Sequence, residues 1–401
     1  MTRKLYLWAV LAIAGLGPVG GTARAQDYAP PDPVLPIPTY NQRPEDGGYF
    51  GALTWLFYRQ TNPLEDQQVA FRGFIDVDGS ITNAIFPGIG FAPGARYGSF
   101  TEALNVDQVT GPNRYSPGFK VEVGWKFGDS RALTLGWMYL FQQSRRAVAT
   151  LMPNGLQIGA NQADSFLFAP VYNFPPEYAG APRSVNIGND FATYGPWNAA
   201  SVMTMEFEQK TQQLEATWRE TIYQTECYRL SGLVGPRFFW IWERFRWRTS
   251  DYNFDGQVNP AWVALYSNII SNRMYGAHVG LQSEYYLGHG FATIAELQGA
   301  FYLNVVKARV KYELGAKHLP PANKRSLTDY SFVPELQGSV GLMWYPYEGI
   351  QLKVGYDVMA FFNTMSSPNP VDFDYSRLMP WFTFSKNRYF DGIHASIALS
   401  F

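Results

Sequence analysis

One cysteine in 401 residues, Cys227, excludes an internal disulfide and any zinc cage built from cysteine; we read it as a buried thiol near a strand end. Four histidines are scattered without metal-ligand spacing. A net charge of −1 offers no basic excess for nucleic acid, so no nucleic-acid partner is expected. Beyond the N-terminus there is no run of about twenty apolar residues, which excludes a helical membrane protein. The glycines around Gly88-Ile89-Gly90 and Gly94 lack the strand-helix setting of a nucleotide loop. What the chain does have is aromatic content, 17%, against a mean hydropathy of −0.19. Hydrophobicity hidden in alternation gives that combination.

The alternation is plainest in Pro117–Gln143. Phe119, Val121, Val123, Trp125 and Phe127 alternate with Lys120, Glu122, Gly124 and Lys126. After the turn Gly128-Asp129-Ser130, Leu133, Leu135, Trp137, Tyr139 and Phe141 fall on one face. A period of two is a strand with one bulky apolar side, and about ten residues is the length a tilted strand needs to cross a bilayer. Alternation alone does not say whether the stripe faces lipid or an interior core.

The N-terminus points to export. Arg3 and Lys4 precede the uncharged apolar stretch Leu5–Leu16, a Gly-Pro break follows, and Ala23-Arg24-Ala25 is a small-x-small cleavage site. Residues 1–25 are read as a signal peptide and 26–48, with six prolines, as a periplasmic spacer of extended polyproline geometry. Residues 49–401 then hold ten alternating segments. The connections after the odd-numbered ones are long (61–116, 144–204, 248–271, 313–331, 364–387) and those after the even-numbered ones short. Even strand number with loops sorted by length is the plan of an all-β, transmembrane, antiparallel up-and-down β-barrel with long extracellular loops, of ten strands or twelve. Two segments strain the pattern. In Phe291–Tyr312 the apolar set moves from Leu297, Phe301 and Leu303 to Val306, Ala308 and Val310, so a bulge is expected at Val305–Val306. Glu220 shares a face with Leu214, Ala216, Trp218 and Ile222, which places it near the membrane interface or means that the register is off.

The final strand ends on Phe401, similar to the terminal signal read by the outer-membrane assembly machinery, an expected partner beside outer-membrane lipid itself. With GYFGALTWLFYRQ (Gly48–Gln60), SGLVGPRFFWIWERF (Ser231–Phe245), NRMYGAHVGLQSEY (Asn272–Tyr285) and VGYDVMAFFN (Val354–Asn363), the chain resembles the beta-barrel porin-7 (BBP7) family found mainly in planctomycetes. The resemblance implies an outer-membrane location and a pore. It supplies no substrate and no site.

The polar face predicts a lumen lined by Lys120, Glu122, Lys126, Glu215, Arg219, His278, Glu284, Glu296, Lys353 and Asp357. Eight-stranded barrels are filled by side chains and sixteen-stranded ones hold water, so ten strands favour a plugged or narrow lumen. His278 and Glu296 are expected as diagonal inward neighbours, an acid–base pair or a structural hydrogen bond. Asp251, Asn253 and Asp255 match the opening of a calcium loop, but position twelve is Trp262, so calcium competes with an ordinary Asx turn; no other cofactor is implied. Arg244 to Arg248 interleaves arginines with Phe245 and Trp247, which at a strand's outer end suits lipid phosphates. No catalytic constellation emerges. The expected function is porin-like passage of small solutes or ions, the alternative a structural or surface-interaction protein with a closed lumen and working loops.

Overall fold

Ten of the chain's strands close into a ring in the computed structural model, which describes residues 48–61, 63–76, 95–110, 115–127, 130–150, 163–171, 197, 200–252, 258–314, 323–347, 349–374 and 382–400. The signal peptide, most of the spacer and Phe401 lie outside them. The elements are β1 (Gly48–Thr61), β2 (Gln68–Asp76), β3 (Ala95–Asn105), α1 (Asp107–Thr110), β4 (Ser116–Phe127), β5 (Arg131–Thr150), β6 (Ala163–Phe168), β7 (Val202–Gln224), β8 (Tyr228–Tyr252), β9 (Val258–Gly288), β10 (Phe291–Leu314), β11 (Asn323–Tyr347), β12 (Ile350–Ser366) and β13 (Thr383–Ser400). The ring runs β1-β13-β12-β11-β10-β9-β8-β7-β5-β4 and returns to β1, with every pair antiparallel. Phe50 pairs with Ser400 on one side and Gly124 on the other, so no edge is left open. In the remaining sheet, β2 lies between β3 and β6.

The medium touched by the bulky stripe is now decided. Val123 is 53% exposed, Trp137 44%, Val279 58% and Leu399 39%. These residues point outward, where a soluble sandwich would bury them, and the inward parity carries the polar set. The short connections stand where expected. Gly288-His289-Gly290 turns β9 into β10 with φ of 89°, 54° and 77°, a left-handed run that glycine adopts without a Cβ penalty. Glu220 lies at the short-turn rim opposite Arg131, 3.1 Å from its Nε, so an outward charge is paired beside the interface.

Four expectations need correction. No bulge occurs at Val305–Val306: β10 keeps an unbroken register there with both neighbours, and Val306, Ala308 and Val310 are buried inside the barrel. The parity held, and the interior itself becomes apolar toward the outer end. Second, strands run far into the segments read as loops. The span 248–271 is mostly β8 and β9, 313–331 includes the start of β11, 144–204 and 364–387 lose their ends to strands, and 61–116 contains β2, β3 and α1. β9 alone has 31 residues, about 80 Å of height at about 3.4 Å per residue and a tilt of about 40°, against a lipid band about 25 Å tall. The outer half of the barrel therefore stands above the membrane, in water, where lipid no longer imposes the pattern used to recognise a strand. Third, Cys227 is exposed in the turn between β7 and β8 and is not buried. Fourth, His278 and Glu296 are not neighbours, as described below.

An outward arginine at mid-bilayer should be costly. Val279→Arg is expected to lower stability by about 2–4 kcal/mol, measured by urea titration of the refolded barrel, whereas Ser326→Arg, outward but on the outer extension, should change it little.

Candidate functional site

Lys120, Glu122, Glu215, Arg219, Glu284, Glu296, Lys353 and Asp357 line one interior cavity of about 150 Å³ at the short-turn end. Lys126 is buried at the rim of β4, and His278 is buried beside the cavity with Nε2 3.1 Å from Thr217 Oγ1. The calcium candidates cannot be placed: Asn253, Asp255 and the Asp251 side chain lie outside the described residues. Among the described residues no group of three or more His, Cys, Asp or Glu side chains could hold a metal.

The charges form a chain across the lumen. Lys120 Nζ reaches Glu122 at 3.0 Å and Glu215 at 2.9 Å. Glu215 is also gripped by Arg237, whose Nε donates at 2.8 Å and whose Nη2 lies 2.7 Å from Oε2. Arg237 goes on to Glu335 at 3.4 Å and Gln337 at 3.2 Å, and also donates to Gln298; Tyr302 donates to Glu335. β4, β7, β8, β10 and β11 are thus tied together through ions of which Glu215, Arg237 and Glu335 are almost wholly out of water. Inward glycine makes room for this: a Cβ on Gly136 would sit 3.2 Å from the Glu215 side chain and 3.4 Å from that of Lys120. A second cluster joins β1, β12 and β13. Asp357 Oδ2 lies 2.8 Å from His394 Nδ1 and accepts from Tyr58.

The histidine–carboxylate pair of the structure is therefore His394–Asp357. His278 stands opposite Ala300, while Glu296 stands opposite Gln282, two inward positions nearer the turn. Both residues face inward as expected; the error lay in the register between β9 and β10. Sequence reasoning also passed over Arg237, Glu335 and His394. His394 alternates with Ile393 and Ala395, so parity could have found it. Arg237 was hidden because β8 is apolar on both faces there: Phe239 and Ile241 are buried inside, while Phe238, Trp240 and Trp242 are not.

Above the cavity the lumen is filled. Leu56, Tyr58, Met138, Leu140, Phe239, Ile241, Met274, Ala300, Tyr302, Val333, Met359, Phe361 and Phe390 make one buried cluster drawn from eight of the ten strands. Phe361 from β12 meets Phe239 from the opposite wall at 4.6 Å between ring centres and Phe390 at 5.9 Å. Next comes a polar layer. Arg388 of β13 spans to Glu243 of β8, with Nη2 donating at 2.8 Å, and its Nε donates to Thr364 Oγ1 at 3.0 Å. The outer mouth is then closed by a larger apolar core. In it Val69, Ala70, Leu104 and Leu167 of the three-stranded sheet and Val106 and Val109 beside it pack on Met203, Met205, Phe207, Phe245, Trp247 and Tyr266 of the barrel wall. Phe245 and Trp247 thus point inward, away from lipid.

A closed ring with a lipid-facing stripe and a filled interior defines an integral outer-membrane β-barrel. The chain belongs to the family described as Legionella pneumophila major outer membrane protein precursor, whose model matches residues 91–379. It is an outer-membrane protein. No curated protein matches the sequence. Similar solved structures include the outer membrane protease OmpT from Escherichia coli, 9% identical over 91% of this chain and 100% of that one, with a TM-score of 0.35. The Pseudomonas putida toluene transporter TodX is 8% identical over 88% and 89%, with a TM-score of 0.26. A Pseudomonas aeruginosa FadL homologue is 9% identical over 88% and 90%, with a TM-score of 0.23. Likenesses this distant carry nothing about activity.

Removing one member of a buried charge network strands the others. Arg237→Ala should lower stability by about 3–5 kcal/mol, read as a shift in the urea midpoint. Triple replacement by apolar residues (Arg237→Met with Glu215→Leu and Glu335→Leu) should recover most of the loss; if it does not, the ions are not the cause.

Proposed function

We propose that this protein is a non-catalytic outer-membrane barrel whose lumen is shut at rest and whose external end does its work. The observation that carries the reading is the apolar layer around Phe239, Phe361 and Phe390. These side chains meet from opposite walls and have 0–1% of their surface exposed, which places an apolar layer across the lumen. Asp357 of the His394–Asp357 pair also meets Tyr58 and Ser339, and among the described residues His394 Nε2 has no hydrogen-bond partner, so no hydroxyl is placed for activation by the imidazole. Export through a signal peptide at 1–25 and assembly guided by Phe401 belong to the same reading. So does the narrower kinship with the beta-barrel porin-7 family, supported by the glycine-aromatic strings of β1, β8, β9 and β12.

A second reading, porin-like passage of small solutes or ions, draws on the charged cavity, whose Lys120 and Glu122 keep 24% and 27% side-chain exposure. In that reading the apolar layer is a gate. Planar-bilayer recording separates the two. The wild type is expected to give no stepwise conductance, and Phe239→Ala/Phe361→Ala/Phe390→Ala to give small ohmic steps while still migrating as a heat-modifiable folded band. Steps from the wild type would favour passage.

A further inference from the structure

The outward face of β8 to β11 changes character abruptly above the lipid band. On β10 the outward positions from Ala295 to Val305 cover about 26 Å of height at about 3.4 Å per residue and a tilt of about 40°, which is the thickness of the band. Near its top, Phe238, Tyr275, Leu303 and Phe332 stand in register across the four strands. One step higher come Trp240, Arg273, Val305 and Tyr330, and above them Trp242, Ser271, Lys307 and Thr328. The next two rows bring Arg309 beside Ser326, then Lys311 beside Lys324.

Some outward cations of the barrel wall have a carboxylate, and Arg146, Lys210 and Arg248 stand without one among the described residues. Arg244 and Arg246 on β8 are held by Glu208 at 2.5 and 2.7 Å, Lys311 by Glu313, and Arg59 on the opposite wall by Asp391 at 3.0 Å; Lys386, on the inward parity of β13, pairs with Glu65 at 3.3 Å. Arg273, Lys307, Arg309 and Lys324 form no ion pair among the described residues. Four uncompensated cations therefore lie together on one side, directly above an aromatic row, with Thr328 and Ser326 facing between them.

We propose that this face binds the phosphates of an outer-leaflet glycolipid of the lipid A type. By the same rise and tilt the rows run from the top of the band to about 16 Å above it, so the cations climb outward from the headgroup layer, and a diphosphorylated headgroup supplies the missing anions at the lower end. Arg273 and Arg309 can grip phosphate oxygens with two donors each, Lys307 and Lys324 act as point charges, and the aromatic row below packs on the acyl chains. Of the arginines marked by the sequence, Arg244 and Arg246 are neutralised by β7 and Arg248 stands one row above Lys324, so the lipid-binding charge sits one to three strands further round. The inference rests on the outer-membrane location and is independent of whether the lumen conducts.

The test uses the full chain refolded in detergent, titrated with lipid A, with dephosphorylated lipid A and with inorganic phosphate. Wild-type protein should bind lipid A at least tenfold more tightly than the dephosphorylated form. R273Q/K307Q/R309Q/K324Q should lose at least tenfold in affinity while keeping its heat-modifiable band, and Lys386→Gln should bind as the wild type does. Higher ionic strength should weaken binding to the wild type, a check that needs no variant. Equal binding of dephosphorylated lipid A, unchanged affinity in the quadruple variant, or displacement of lipid A by an equal concentration of inorganic phosphate would each overturn the proposal.

Discussion

Hydrocarbon offers no hydrogen bonds, so every peptide group that enters it must find its partner in the protein. In this chain that constraint is met by closure, with β1 pairing to both β13 and β4. Closure in turn freezes parity. Once one residue of a strand faces lipid, every second residue does, and the intervening ones face a lumen only ten strands round. Everything else in the molecule is what a narrow cylinder must do with the side chains forced into it.

The interior answers in layers. Charges near the short turns are cross-paired through Lys120, Glu215, Arg237 and Glu335; an aromatic and methionine layer fills the middle; Arg388 and Glu243 tie opposite walls above it; and the three-stranded sheet packs on the wall at the top. Buried ion pairs of this kind gain little net stability over apolar packing. Their geometry nonetheless demands particular partners on particular strands, so a slipped register would leave several charges unpaired at once. Inward glycine serves the same end: a side chain at Gly355 would press on the His394 ring at 2.6 Å and on the Val340 carbonyl at 2.5 Å.

The outer half of the barrel shows why its strands were read as loops. There both faces have other work. The inner face packs an ordinary protein core, and the outer face meets headgroups and water, so β8 to β11 lose the apolar-out, polar-in signature that made Pro117–Phe127 and Ile350–Asn363 readable. Val306, Ala308 and Val310 looked like a slipped register because an apolar interior was not anticipated. His278 and Glu296 were assigned to the correct face and to the wrong height. Facing is a property of one strand, but height depends on how two strands slide past each other.

The amino-acid sequence by itself determined the class of fold, the ten-strand count, the positions of the short turns and the facing of most side chains in the membrane half, because a period of two and a glycine-rich turn are local properties. Only the tertiary structure decided that apolar side chains fill the middle of the lumen, that His394 and not His278 meets a carboxylate, and that Arg244 and Arg246 are neutralised while Arg273 and Lys307 are not. Those outcomes depend on shear between strands and on contacts across the cylinder, and neither leaves a trace in the alternation of any single segment.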